Sequence, residues 1–439
     1  MGLRFLISLG VVFCSCAFAQ SPLGTITGLA SDPSGATVGS ARLTLTNVLT
    51  NVKRTGATND AGLYNFPNLP SGTYQLTAEA PGFRTIQTPE FKLDPYQTVR
   101  QDLHFELGDA SASVTVSEST STVIQVDTPS ITEALTTRQI LELPTTLRSI
   151  YSNAGDSGLI FTMLPVTIPG VVQVGSGAKW LTPGGLAAGT RLYVDGIETD
   201  FGNFGSPDSV SQPSFESILE FTANVLTNKA EFGGIGTVTT TTKSGSNAFH
   251  GDLFEYARNS EFDARNPFLA SKSFQNLHNY GASVGGPVIR NKTFFQFVFD
   301  GTRGVRAYPV TASVPSLAQR AGDFSATGTV RNPYTNAPFP GNAIPQSMLS
   351  PQALAMQSQY YPLPNFGPAN STSGNYRASF DGEEVHRIVE IRLDHNFSSR
   401  HSSFGRYQAK KDDYDIPGAR SALPPTSVGT SKNIRRVNF

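Results

Sequence analysis

The sequence predicts a mainly β protein: an N-terminal sandwich, an α+β middle, and a run of strands patterned for a membrane barrel. Three observations carry this. Charged residues are 15% of the 439 residues, while Gly, Ser, Thr, Asn and Phe are abundant, which suits short strands and turns better than helices. Apolar and polar residues alternate with period two in many short windows. Beyond the first stretch no apolar run is long enough for a transmembrane helix, so passage through a membrane would have to use strands closed into a barrel. The length suits roughly two to four domains. A formal net charge of -1 without a basic run excludes the electrostatic footprint of nucleic-acid binders.

Residues 1–19 read as a secretory signal peptide: Arg4 near the start, an apolar run from Phe5 to Phe13, and Ala17-Phe18-Ala19 before Gln20. The alternatives are a buried N-terminal helix, or a lipoprotein signal on Cys16, for which Phe13, Cys14 and Ser15 lack the expected aliphatic residue. Both cysteines, Cys14 and Cys16, fall in this segment. A mature chain starting at Gln20 would have neither disulfides nor thiol chemistry.

Residues 20–108 are expected to form a small antiparallel sandwich. Leu43 and Leu45 alternate with Arg42, Thr44 and Thr46; Tyr74, Leu76 and Ala78 alternate with Thr73, Gln75 and Thr77; Leu103, Phe105 and Leu107 alternate with Asp102, His104 and Glu106. Turns are legible at Asp32-Pro33-Ser34-Gly35, Asn59-Asp60-Ala61-Gly62 and Pro70-Ser71-Gly72. With Gly28, Thr58, Tyr64, Phe66, Leu69 and Ala80-Pro81-Gly82-Phe83, the segment resembles a carboxypeptidase-regulatory-like domain, which implies a transthyretin/Ig-like sandwich and no peptidase. None of the six histidines has a Glu three residues on, so the ligand set of a catalytic zinc is missing. No cofactor or metal is expected.

Residues 109–130 read as a linker rich in Ser, Thr and Val. Within it Ser113, Val114, Thr115, Val116 and Ser117 form a short strand pattern. It is either the sandwich's last strand or an exposed strand able to take a partner by strand addition.

Residues 131–245 form the middle domain, with a short helix at Thr136 to Leu143 stopped by Pro144. Residues Thr237 to Phe268 make its exit: a threonine strand to Lys243, a turn at Ser244, Gly245, Ser246 and Asn247, then an aromatic strand from Phe249. Asp195 in Tyr193-Val194-Asp195-Gly196 reads as a turn former, and Glu231 as a solvated or wall-paired charge, rather than as catalytic carboxylates. These residues, with Phe262-Asp263-Ala264-Arg265-Asn266, Phe268, Pro169-Gly170-Val171, Ile218-Leu219-Glu220-Phe221 and Ala230-Glu231-Phe232-Gly233, resemble the plug and plug-to-barrel junction of the TonB-dependent outer-membrane transporters, in their Oar-like branch. The usual valine-rich strand is here almost all threonine from Thr237 to Thr242, a change that makes it easier to hydrate.

From 246 to 439 the strands alternate outward apolar with inward polar residues. Tyr280, Ala282 and Val284 face away from Asn279, Gly281 and Ser283; Phe295, Phe297 and Phe299 face away from Gln296 and Asp300; Val389, Ile391 and Leu393 face away from Glu390, Arg392 and Asp394. Residues 305–380, rich in Pro, Asn, Gly and Ser, read as a long extracellular loop whose aromatics either stack on a ligand or pin the loop to itself. The resemblance implies an outer-membrane receptor with its sandwich in the periplasm. Its expected partners are outer-membrane lipid, a periplasmic energy-coupling protein of the TonB type contacting Ser113 to Ser117, and an unidentified extracellular ligand, an oligosaccharide or peptide. A structural or adhesive outer-membrane protein is the alternative. The resemblance also implies a plug inside a barrel of about 22 strands, whereas 246–439 can supply roughly four to eight; an incomplete barrel is therefore expected. Lys432 to Arg436 alternates too little to make a convincing last strand.

Overall fold

A computed structural model describes residues 23–108 (save 96), 113–115, 131–142, 171–174, 180–183, 190–201, 206–207, 212–226, 236–265, 272, 274–399, 401–415 and 431–438. The expected signal peptide and both cysteines lie outside the described residues. Strands dominate, and among the described residues no helix is long and apolar enough to cross a membrane.

The N-terminal strands are β1 (Gly24–Ser31), β2 (Arg42–Asn47), β3 (Lys53–Ala57), β4 (Leu63–Leu69), β5 (Gly72–Glu79), β6 (Thr85–Gln87), β7 (Phe91–Leu93), β8 (Thr98–Arg100), β9 (Leu103–His104) and β10 (Ser113–Thr115). They form two sheets. One runs β4-β1-β8 with β9 also on β1; the other runs β10-β6-β5-β2-β3 with β7 also on β5. The alternation read in the sequence is the core: Leu43, Leu45, Tyr74, Leu76, Ala78, Leu103 and Phe105 are all buried in one cluster with Ile26, Leu69 and Leu93. Asp32 closes its turn by accepting from the Ser34 and Ala36 amides, both at 2.9 Å, an Asx arrangement that fixes the chain reversal.

One expectation needs correction. The sandwich is not wholly antiparallel, because β1 pairs parallel with β8 and β9, and β10 parallel with β6. Alternation reveals which face is buried but not strand direction, which depends on how the connections cross. Of the two readings of Ser113 to Ser117, the pairing of β10 (Ser113–Thr115) with β6 is that of a last sandwich strand.

The middle strands are β11 (Ile131–Thr136), β12 (Val171–Val174), β13 (Trp180–Pro183), β14 (Thr190–Val194), β15 (Ile197–Glu198), β16 (Asp200–Phe201), β17 (Ser206–Pro207), β18 (Ile218–Leu226) and β19 (Gly236–Thr242). The main sheet has the order β11-β18-β19-β14-β15. Helix α1 (Thr137–Glu142) follows β11 directly, where the sequence placed a short helix. Ile140 from it packs on Leu192, Val194, Ile218, Phe221, Ala223 and Val238. All seven residues of β19 are buried, because it is a central strand flanked by β18 and β14.

The last sheet is an antiparallel meander of β20 (His250–Asn259), β21 (Gln275–Ile289), β22 (Thr293–Ala312), β23 (Tyr376–Asn396), β24 (Ser402–Asp415) and β25 (Ser431–Asn438). No pairing between β20 and β25 closes it among the described residues. Its faces follow the pattern read above: Tyr280, Ile391 and Leu393 are exposed on one face, while Gln296, Asp300 and Glu390 are buried on the other. The rings of Phe249 and Phe295, and of Tyr280 and Phe299, lie 6.3 Å apart on the apolar face. At the junction, a Cβ on Gly245 would run into the backbone oxygens of Phe295 and Gly286, so the turn needs glycine for its close approach to the sheet.

The loop is shorter and more ordered than 305–380. Strands β22 and β23 stay paired through Tyr308↔Phe380 to Ala312↔Tyr376. Backbone ladders do not require apolar side chains, so polarity ended the strands too early. Within 313–375 lie α2 (Leu317–Arg320), capped by Ser316 and Gln319, and α3 (Pro351–Tyr360), capped by Ser350. Arg320 ties them together by donating to the carbonyls of Tyr361 and Pro362 at 3.0 and 2.6 Å. Residues 431–438, expected to be poor strand material, pair with β24 for the same backbone reason.

Candidate functional site

The functional candidate is the seam where the middle sheet meets the polar face of the last sheet. It is built from two short segments. The first is the hairpin turn between β14 and β15. Asp195 and Gly196 both take positive φ, 50° and 85°, the pattern of a tight type I′ turn that Asp-Gly favours. That geometry carries the Asp195 side chain back along β19. Its Oδ1 and Oδ2 accept from the Thr242 amide and hydroxyl, both at 2.9 Å.

The same carboxylate also meets the wall. Arg392 Nη1 of β23 reaches Oδ1 at 3.0 Å, and Arg406 Nε of β24 reaches Oδ2 at 3.2 Å. Asp195 is 1% exposed. Arg392 and Arg406 stand directly opposite one another in the β23–β24 register. Two like charges opposed across a ladder repel, and the buried carboxylate between them offsets that. Arg392 additionally pairs with Asp394 at 3.0 Å and lies over the Phe404 ring at 4.4 Å.

The second segment is 212–217, which enters β18 through a single 3-10 turn capped by Ser214. The Ser214 amide donates to Glu390 at 2.6 Å, and its hydroxyl donates to Asp300 at 2.5 Å. Asn279 donates to the other Asp300 oxygen at 2.6 Å. Gln408 donates to the Gln212 carbonyl at 2.5 Å, and Tyr256 donates to Glu216 at 3.1 Å. Strands β20, β22, β23 and β24 thus each give a polar side chain to one seam, and Asn279 of β21 supports Asp300 from behind.

The arrangement is a lock of polar contacts rather than an apolar weld. Removing one partner of a buried charge pair costs about 3–5 kcal/mol, because it strands the other charge. Separating both partners into water rehydrates each of them, so such a seam holds its register while closed and can still come apart. Among the described residues no constellation of nucleophile, base and orienting group lies in it.

The residues singled out in the sequence fall in three places. Asp195 does form the expected turn, but its pairing with Arg392 and Arg406 was missed. Glu231 lies outside the described residues. Ser113, Val114 and Thr115 are not part of the seam: they form β10, last in its sheet, in parallel register with Thr85, Ile86 and Gln87. Val116 and Ser117 lie outside the described residues.

Residues 241–439 match the outer membrane beta barrel domain family, and residues 25–107 the carboxypeptidase regulatory-like domain family. The chain is similar to the TonB-dependent transporter Oar of Myxococcus xanthus, 26% identical over 312 residues, covering 66% of this chain and 27% of that protein. It therefore spans about a quarter of the length of this curated relative. Among solved structures, the Bacillus anthracis TIE protein overlaps 19% of this chain and 16% of its own, at 19% identity and a TM-score of 0.17. Catechol 1,2-dioxygenase from Acinetobacter overlaps 23% of this chain and 60% of its own, at 11% identity and a TM-score of 0.19.

Proposed function

We propose that this TonB-dependent outer-membrane protein, with a carboxypeptidase regulatory-like domain ahead of its barrel strands, serves the energy-coupled uptake of an extracellular ligand, an oligosaccharide or a peptide. On this reading residues 131–245 are a plug against the lumenal face of the wall, and the sandwich sits in the periplasm behind a cleaved signal peptide. The observation that carries it is the Asp195–Arg392–Arg406 seam: a sheet fastened to the wall by buried polar contacts can be drawn away at a cost that water largely offsets. The ordered loop at 313–375 is then on the outer surface, where the ligand arrives.

For the periplasmic coupling protein, the proposed contact is Ser113, Val114, Thr115, Val116 and Ser117. The first three form an edge strand to which a partner strand can add through backbone hydrogen bonds. The test is depletion of labelled oligosaccharide and peptide pools by cells with and without the gene, before and after collapse of the inner-membrane proton gradient. Gene-dependent uptake that stops with the gradient supports the proposal. Gene-dependent binding that survives its collapse sinks it in favour of an adhesive role.

A further inference from the structure

The sandwich touches both partners of the seam. Lys92, at the centre of the short strand β7, holds Asp94 at 2.5 Å and reaches Glu220 of β18 at 3.3 Å. Glu220 lies in the middle sheet and is 2% exposed. At a second point, the Asn247 amide in the junction turn donates to the Leu49 carbonyl of the sandwich at 3.0 Å. That turn is the root of β20 and so belongs to the wall.

We propose that the sandwich is a clamp: Lys92 and Asp94 grip the middle sheet through Glu220 while Leu49 grips the junction turn, so the sheet cannot shift against the wall until the sandwich lets go. The inference rests on the reading of 131–245 as a plug and adds its restraint. The two attachments are unequal. The Leu49 contact is one backbone hydrogen bond at an exposed turn, whereas Lys92 compensates a carboxyl buried in the other domain. Without Lys92 the buried Glu220 and its neighbour Asp94 carry their negative charge with no cation beside them, and docking weakens. The clamp is therefore controlled from the Lys92 end.

The experiment uses the full chain in outer membranes. A photo-reactive benzophenone amino acid replaces the exposed Leu49, and its crosslinking to the 244–250 peptide reports docking. In parallel, maleimide labelling of a Thr240→Cys variant without the photo-probe reports opening of the sheet, since Thr240 is fully buried. Lys92→Ala should lower the crosslink yield and raise the labelling rate, each by about three- to tenfold. The exchange Lys92→Glu with Glu220→Lys should restore both. Unchanged crosslinking in Lys92→Ala overturns the proposal, and so does lost crosslinking with unchanged labelling. A loss that the exchange fails to reverse also overturns it, because the grip is then not one of charge. Neither readout requires uptake, so failure of the clamp is distinguishable from failure of the transport reading.

Discussion

Asp195→Ala tests the seam most directly. It removes a carboxylate that is 1% exposed and takes two arginine contacts and two threonine hydrogen bonds. Arg392 keeps Asp394 at 3.0 Å, and Arg406 keeps Gln408 at 3.1 Å, so the cost belongs near the lower end of the range for breaking a buried pair, about 3 kcal/mol. Asp195→Asn keeps a carbonyl oxygen for the Thr242 amide and Arg392 but puts an amide NH2 where Oδ2 accepted from the Thr242 hydroxyl and Arg406, for about 1.5–3 kcal/mol. The assay is maleimide labelling of Thr240→Cys in a Cys14→Ser/Cys16→Ser background, with the protein in outer membranes. If labelling requires the sheet to open, 3 kcal/mol corresponds to roughly a hundredfold faster reaction for the alanine variant. The asparagine variant should fall between it and the parent. A rate within about threefold of the parent for Asp195→Ala would refute the reasoning, since the arginines would then be satisfied without Asp195.

Further outcomes follow from the same geometry. Burial pushes the Glu220 carboxyl up to about 8, the neighbouring Asp94 carboxylate adding to the shift and the Lys92 ammonium opposing it. An acid whose folded value lies above its unfolded value of about 4.3 contributes stability that is fully present below that value and is lost as pH rises through about 8. Hydrogen exchange of β18, corrected for intrinsic rates, should therefore show faster opening at high pH than at low. Glu220→Gln should abolish that dependence; an identical slope in both proteins would remove Glu220 as its source. Residues 20–115 expressed alone should give a cooperative thermal transition, and Leu76→Ala, which empties a fully buried site, should destabilise that fragment by about 2–5 kcal/mol. A disordered spectrum for the parent fragment would show that the sandwich depends on the rest of the chain. Protein washed with chelator should carry no zinc by elemental analysis, and a stoichiometric content would contradict the sequence reading.

The sandwich core and the faces of the wall strands were legible because period two is a local signal. Phe295, Phe297 and Phe299 need only their own spacing to share a face. Strand direction was not legible, and the parallel pairing of β1 with β8 and β9 came out wrong, since alternation is identical in both directions. The loop boundary failed for a related reason. From Val305 to Ala312 the two strands stay in backbone register, which composition does not report.

The seam was hidden in a more instructive way. Asp195 had a sufficient local explanation, because Asp-Gly suits the turn between β14 and β15. Asn would suit that turn equally well, so the turn accounts for the shape of the residue and not for its charge. The unexplained charge was one half of the signal. The other half lay 197 residues away in Arg392, which alternation places on the polar face of the sheet, opposite Arg406 in register. Two arginines opposed on one inward face form an unstable arrangement unless something anionic reaches between them. The opposed arginines leave room for a further buried carboxylate beside Asp394, and the turn in the middle domain presents one. Each half reads as ordinary alone, and only the pairing register joins them.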